Sequence, residues 1–587
     1  MKLERIVIEN YRKICQANIL LAPSSFIIGP NNCGKSAVLS AIDALLSLDK
    51  EKITALDYHE NPDHTRSETI ILTGYFGSIS PDVARSRGFR GRVIEDKYTY
   101  KRTFYFSGKP KIECLEYPSV LKEDFKNVKT IGELLDKGIA EVEIAQVMGE
   151  FNRDEKLKKG WEKDFPDTLD FHTSEEPIWV ANPGGIPSVV QSKLPRVMRI
   201  PSFTDINDIQ SPDKKFILGE CLSILFEDLI EQSPLANEIQ GKLDELQAQM
   251  DPDTEDTLIH KLCIDVNKVI SDVFPECGIK IRPSLQGVSD ILKPKYQINL
   301  CSNISTDAEH QGTGLIRTTA FAMLRYHAKM KIEKSLQTRP ILVAFEEPEL
   351  YLHPLAANLL RETIYDLGQS DQIVCTTHSP WMIDLSKEPL SLTRMYDAQN
   401  GSVSAINYGV STSLGRLDPH DKERVKMIQI FDDELSRIFF SERVVIVEGD
   451  TEVLVINNTL KLFPDSVKKL VLSKYQIIKA RGKASIISLV RYLKDLNIPL
   501  YVMHDRDQGV EGAERFNKSI SDEIDDENRL ILLRENIENA LGYQPPSYDK
   551  PFRAYKESIK WGSKEEIPEV WRTAFCKLFQ IDWFSTR

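Results

Sequence analysis

The 587-residue chain has nine cysteines but no Cys-x-x-Cys pair. That argues against a structural zinc site and against a disulfide framework. Most of these cysteines are expected to be small buried hydrophobes in a reducing compartment. The ten histidines form no HxxxH or HExxH pattern, so a histidine-based metal centre is not expected. No apolar run approaches the roughly 20 residues that a membrane span needs. The opening stretch from Met1 to Lys13 is an amphipathic strand pattern rather than a signal peptide, so the expectation is a cytoplasmic protein without a membrane partner. Internal repeats, low-complexity tracts and a long coiled-coil arm are missing as well. Nor is there an excess of positive charge, the net being −13. Sign alone decides nothing here: carboxylates gathered at a metal site make a nuclease locally acidic, and a basic strip can coexist with an acidic whole.

What is present reads as a globular chain too long for one hydrophobic core, with two to four domains as the prior. Residues 1–110 alternate strands with one helix, Ala37 to Leu48. Residues 111–285 are mainly helical, with periods at Ile131 to Val147 and Leu235 to Met250, and read as an insertion. Strand and helix alternation resumes over 286–395. A linker is expected over 396–440, before a second α/β unit over 441–587 that opens on Val444-Val445-Ile446-Val447.

Gly29-Pro30-Asn31-Asn32-Cys33-Gly34-Lys35-Ser36 fits GxxxxGK[ST] and sits between a strand and a helix. Backbone amides of such a loop wrap phosphate oxygens, Lys35 reaches the β- and γ-phosphates, and Ser36 can ligate Mg²⁺. The apolar strand Ile341 to Phe345 runs into Glu346-Glu347-Pro348-Glu349. Glu346 is assigned to the metal and Glu347 to water activation; a plain acidic turn is the bland alternative. His378 follows another apolar strand and can sense the γ-phosphate. Gly312 and Gly314 open a helix at Thr318 to Lys329, where a glycine-rich N-terminus lets a backbone approach phosphate.

Taken in order, these four segments resemble the SMC/RecF-like branch of ABC-type ATPases, through "IxNYRK", "IIGPNNCGKS" and "FEEPELYLHP". The resemblance implies two heads that sandwich ATP, with Gly312 and Gly314 of one completing the site of the other. It thereby implies at least a homodimer. The first acid of the strand motif is usually Asp in that branch; Glu346 stands there instead.

In the last unit, Glu448 ends a buried strand and Glu452 follows across a glycine turn. Asp505 and Asp507 follow the strand Leu500 to Met503, and strand alternation predicts that they point the same way. Four carboxylates at strand ends make a hard-oxygen site for Mg²⁺ or Mn²⁺, ions that polarise a phosphodiester and activate water. The two motifs resemble the Toprim domain. A single-chain ABC head followed by Toprim resembles the OLD (overcoming lysogenisation defect) family.

That likeness implies an α/β fold: an ABC-type ATPase head with a mainly helical insertion, then a C-terminal Toprim domain. It implies an ATP-binding, metal-dependent DNA endonuclease or nickase in prokaryotic anti-phage defence. A dimer of dimers is in keeping with it, as is a helicase or a retron reverse transcriptase with its DNA as partner. Relatives place a dimerisation region in the insertion. By the same likeness Glu538 holds a second metal, with Glu535 as rival, and Lys550 stabilises the scissile phosphate, with Lys556 as runner-up. Gly482 marks a turn whose neighbours Arg481 and Lys483 can touch DNA phosphates. The competing expectation is a repair ATPase that tethers DNA without cutting it.

Overall fold

The computed structural model describes the chain except residues 48–52, 149–150, 159, 172–175, 186, 203–233, 250–256, 258–259, 262–263, 265–298, 302–304, 308–312, 334–338, 351, 388–389, 398–401, 432–434, 511 and 584–587. It divides into two units. One holds Met1–Arg199, Arg339–Glu349 and His353–Arg587; the other holds Ile200–Thr338 and Leu350–Leu352.

The first unit contains three sheets that matter for function. An antiparallel sheet runs in the order Ile14–Leu20, Lys2–Tyr11, Thr69–Gly77, Tyr98–Tyr105, Lys111–Glu116, Ile178–Ala181. A second sheet has the order Arg196–Ile200, Ile341–Glu346, Gln372–Thr376, Ser24–Ile28, Leu390–Asp397, Val403–Tyr408. Its four central strands are parallel, and its last is antiparallel. Strands such as Ile341–Glu346 and Gln372–Thr376 are buried at every position, as both faces of a covered parallel sheet require. The helix Lys35–Leu46 contributes Val38, Leu39, Ile42 and Leu45 to a core shared with Leu3, Ile6, Ile8, Leu72 and Tyr100.

The third sheet is wholly parallel, in the order Tyr475–Lys479, Arg443–Val447, Leu500–Asp505, Leu530–Leu533. Its own core joins Val445, Val447 and Met503 to Trp571, Phe575 and Phe579 of the helix Glu569–Phe579. In the other unit the helices Pro234–Gln249 and Thr313–Glu333 and a short hairpin, Asn299–Cys301 with Ser305–Asp307, are described.

Three boundaries differ from expectation. The break at 110 falls between neighbouring strands of one sheet, because Tyr98–Tyr105 hydrogen-bonds to Lys111–Glu116. The helix expected from Ile131 to Val147 is two, Ile131–Asp136 and Glu141–Met148, parted at Gly138, whose φ of 94° no helix continues through. The segment 396–440 is no bare linker. Val403–Tyr408 completes the second sheet, and the helix Pro419–Phe431 docks on the helix Lys483–Asp495 of the last domain. Asp421, buried at that contact, accepts from Ser488 Oγ at 2.5 Å and from Arg491 Nη1 at 2.8 Å. Among the described residues, no helix is long and apolar enough to cross a membrane.

Candidate functional site

The phosphate loop begins where the buried strand Ser24–Ile28 ends. Gly29 has φ +144°, and a Cβ there would lie 2.2 Å from the Met395 carbonyl oxygen, so only glycine fits. Gly34 caps the helix that follows, and Asn31, Asn32 and Ser36 are exposed around its start. The Lys35 ammonium donates to the carbonyls of Gly29 and Pro30, at 3.1 and 2.8 Å. Burial holds its pKa below the ordinary lysine value, against the attraction of Cys33 and Glu347.

Parallel register brings the remaining groups to this loop. Glu346 pairs with Thr376, and Thr376 pairs with Ile27, so three strands end in one row. Glu347, His378 and Gly29 lie just beyond that row. Glu347 has a left-handed backbone, φ +42°, a strain of the kind that collects at functional positions. Its N–H donates to the Thr376 carbonyl at 2.9 Å, and its Oε1 lies 3.8 Å from His378 Nε2. Burial and then the Lys35 charge lower the His378 pKa, while Glu347 opposes them. Lys35, Glu347 and His378 therefore share one locus. Gly314 lies in the first turn of Thr313–Glu333, in the other unit; Gly312 lies outside the described residues.

Two residues here received no role from the sequence. The Arg199 guanidinium holds Glu346, with Nη2 at 2.5 Å and Nε at 3.2 Å from Oε1, and donates from Nη1 to Ser40 Oγ at 2.9 Å. Glu346 is thus a buried ion-pair partner as well as a candidate metal ligand. Glu349 Oε1 accepts from Thr377 Oγ1 at 2.7 Å and from the His378 N–H at 3.2 Å, tying the acidic turn to the histidine loop. No local pattern marks Arg199, whereas Glu349 was visible as the third acid of its turn.

The last domain builds its site the same way. Val447 pairs with Met503, so Glu448 and Asp505 emerge at the same edge of neighbouring strands, one residue out of step. Burial raises the Glu448 pKa, against the attraction of Lys483. Glu452, 4% exposed, accepts from the Gly449 N–H at 3.0 Å. Glu538 is 1% exposed in the helix Ile537–Ala540, while its rival Glu535 faces solvent. Lys550 Nζ lies 4.0 Å from Glu538 Oε1; Lys556 instead lies over the Phe552 ring.

Two expectations need correction. Asp507 does not share a strand face with Asp505. The strand stops at Asp505, and Asp507 has φ +54°. It turns instead to Lys483, at 2.7 Å. Lys483 is consequently buried and paired rather than presented to DNA phosphates.

The donor set fits hard divalent ions. Glu448 Oε2, Asp505 Oδ1 and Glu538 Oε1 are buried without a hydrogen-bond partner, a costly state for carboxylate oxygens that a cation would relieve. Among the described residues no three such side chains already enclose one ion, so binding requires rotamer adjustment. Burial, and then the charges of Glu452 and Glu448, push Asp505 up to about 8; burial pushes Glu452 up to about 7. Raised carboxylate pKa values favour the folded state when protonated. This stability is complete below the ordinary carboxylate range and is lost as pH rises through about 7 and then about 8. A divalent ion favours the ionised forms and expels protons. In EDTA the thermal midpoint of this domain is therefore expected to fall by a few degrees across that window. Mn²⁺ should restore it, with proton release on binding. Equal Mn²⁺ stabilisation on both sides of the window, by scanning calorimetry, would contradict this assignment.

Residues 1–383 match the AAA ATPase domain family, and residues 439–507 match the TOPRIM domain of overcoming lysogenization defect protein-like chains. The chain is similar to the Old nuclease of Escherichia phage P2, with 24% identity over 86% of this chain and 77% of that protein. It is 22% identical to the OLD nuclease of Thermus scotoductus over 94% of both. Endonuclease GajA of Bacillus cereus is 20% identical, over 78% of this chain and 68% of its own length.

Proposed function

This chain belongs to the AAA ATPase domain family and carries an OLD-like TOPRIM domain, and from that premise we propose that Glu448, Glu452, Asp505 and Glu538, joined by Asp507 only if it leaves Lys483, hold the divalent ions of a DNA-cutting site. The protein is an ATPase joined to a nuclease of OLD type. The observation that carries the residue assignment is the convergence of buried carboxylates at the C-terminal edge of a parallel sheet, with three of their oxygens unpartnered. Mg²⁺ or Mn²⁺, when bound there, would polarise the scissile phosphodiester and lower the pKa of water. The protein's own groups orient these ions, and Lys550, beside Glu538, offers a positive charge to the phosphate.

ATP is assigned to the other sheet edge. The backbone from Gly29 to Gly34 would cradle its phosphates, Lys35 would pair with them, and Ser36 and Glu346 would hold Mg²⁺. Glu347 would activate water and His378 would sense the γ-phosphate. For Glu346 to act, the Arg199 guanidinium must share or yield its carboxylate. Gly312 and Gly314 would complete the site from another copy, so a homodimer or a dimer of dimers is proposed, checked by light scattering.

A cytoplasmic location and a role in anti-phage defence are part of this proposal, alongside the likeness to endonuclease GajA. A helicase and a retron reverse transcriptase are the partner types to seek by co-purification. A tethering ATPase that leaves DNA uncut is disfavoured, because it gives the buried carboxylates no task. The deciding experiment is incubation of the purified protein with supercoiled plasmid and Mg²⁺ or Mn²⁺. Nicked or linear product, absent in EDTA, is expected; plasmid left intact with either ion would overturn the reading.

A further inference from the structure

The helix Lys550–Ser558 sits beside the acidic cluster, yet buries only Ala554 and Ser558, the latter bonded to Asn458 at 2.9 Å. Its other side is unusual. Phe552 is 51% exposed, and Tyr555 38%; Tyr548 just before the helix is 84% exposed, and Ile559 just after it 52%. Phe552, Tyr555 and Ile559 follow the i, i+3, i+7 spacing of one helix face. A row of large apolar side chains in water marks a surface that meets a partner.

Charge narrows the partner. Lys556 Nζ lies 4.4 Å over the Phe552 ring, and Lys550 Nζ reaches the edge of the acidic cluster. The one carboxylate of the helix, Glu557, is neutralised by Arg553 at 2.9 Å and Lys560 at 2.5 Å. The face is therefore aromatic and cationic, and it is continuous with the candidate metal site.

We propose that this face is a stacking platform for an unpaired DNA strand, which it leads to the carboxylate cluster; the proposal rests on the nuclease reading above. Exposed rings gain by lying on base π-faces, which a closed duplex hides within its stack. Lysines interleaved with the rings meet the strand's phosphates. From Phe552 to Ile559 the helix rises about 10 Å, the length of roughly three stacked nucleotides. An apolar protein partner would use the rings but would have no need of the lysines among them. The favoured substrate is thus DNA with a locally open strand, at a flap, gap or melted segment, rather than intact duplex.

The test measures binding by the full-length protein in EDTA, where nothing is cut, using fluorescein-labelled oligo-dT and, separately, its duplex with oligo-dA. Phe552→Ala with Tyr555→Ala should weaken oligo-dT binding at least about tenfold and leave duplex binding within about twofold. Phe552→Leu with Tyr555→Leu keeps apolar area but loses the π-faces, and should be equally weak. Phe552→Trp with Tyr555→Trp should restore binding. Lys556→Ala should lower the salt slope of oligo-dT binding by about 0.7. Unchanged oligo-dT binding in the alanine pair, or equal loss on both probes, overturns the proposal. So does a change in oligomer mass by light scattering, which would identify the face as a contact between copies. If the parent cuts no DNA but the binding pattern holds, the nuclease reading fails and the platform stands. If the parent cuts DNA and the alanine pair binds normally, the platform alone fails.

Discussion

Asp505→Ala is expected to cut supercoiled plasmid at least about 10²–10³-fold more slowly than the parent while hydrolysing ATP within about twofold of it. Asp505 ends the strand Leu500–Asp505 beside Glu448, with one oxygen buried and unpartnered. Its removal deletes a central oxygen of the proposed ion site. Collapse of the fold is not the expected cause of lost activity. Ionised Asp505 is opposed by burial and by Glu452 and Glu448, so alanine relieves repulsion, and the EDTA form should be at least as stable as the parent at high pH. Glu448→Ala should behave alike. Glu538→Ala should be milder, since water can take a ligand's place. Plasmid cutting, ATPase rate and thermal unfolding of the same preparation decide the matter. A folded Asp505→Ala protein that cuts normally would refute the site. Loss of both activities would show that the two sites are coupled, and the helix Pro419–Phe431, docked through Asp421 on Ser488 and Arg491, is one contact that could carry it.

Lys35→Ala is expected to remove ATP hydrolysis, by at least about 10²-fold, because it deletes the ammonium that the loop holds against the Gly29 and Pro30 carbonyls. That charge is partly buried, where electrostatic interactions exceed their strength in water, and Glu347 and His378 both feel it. Glu347→Gln should bind ATP yet hydrolyse it slowly, since only water activation is lost. A fluorescent ATP analogue and a phosphate-release assay separate the two: Lys35→Ala should fail in both, Glu347→Gln in the second alone. Hydrolysis at the parent's rate by Glu347→Gln would mean that another group activates water.

The sequence by itself determined whatever is local. Gly29 to Ser36 are contiguous, so strand, loop and helix could be read together, and Gly29 proves to have no space for a side chain. Glu346, Glu347, Glu448 and Asp505 each terminate or follow a run of apolar residues, and a fully buried parallel strand reads as such a run. Tertiary structure alone decided which strand ends became neighbours and what each carboxylate met there. Arg199 reaches Glu346 because Arg196–Ile200 lies next to Ile341–Glu346 in the sheet, a pairing that no local pattern encodes. Asp507 left the face of Asp505 when the strand ended and its backbone turned left-handed, which delivered it to Lys483. Residues 403–431 became sheet and docking helix through partners drawn from both domains. A motif depends on dihedral preferences over a few residues, whereas a site depends on long-range strand order and register, which emerge only when the whole core packs.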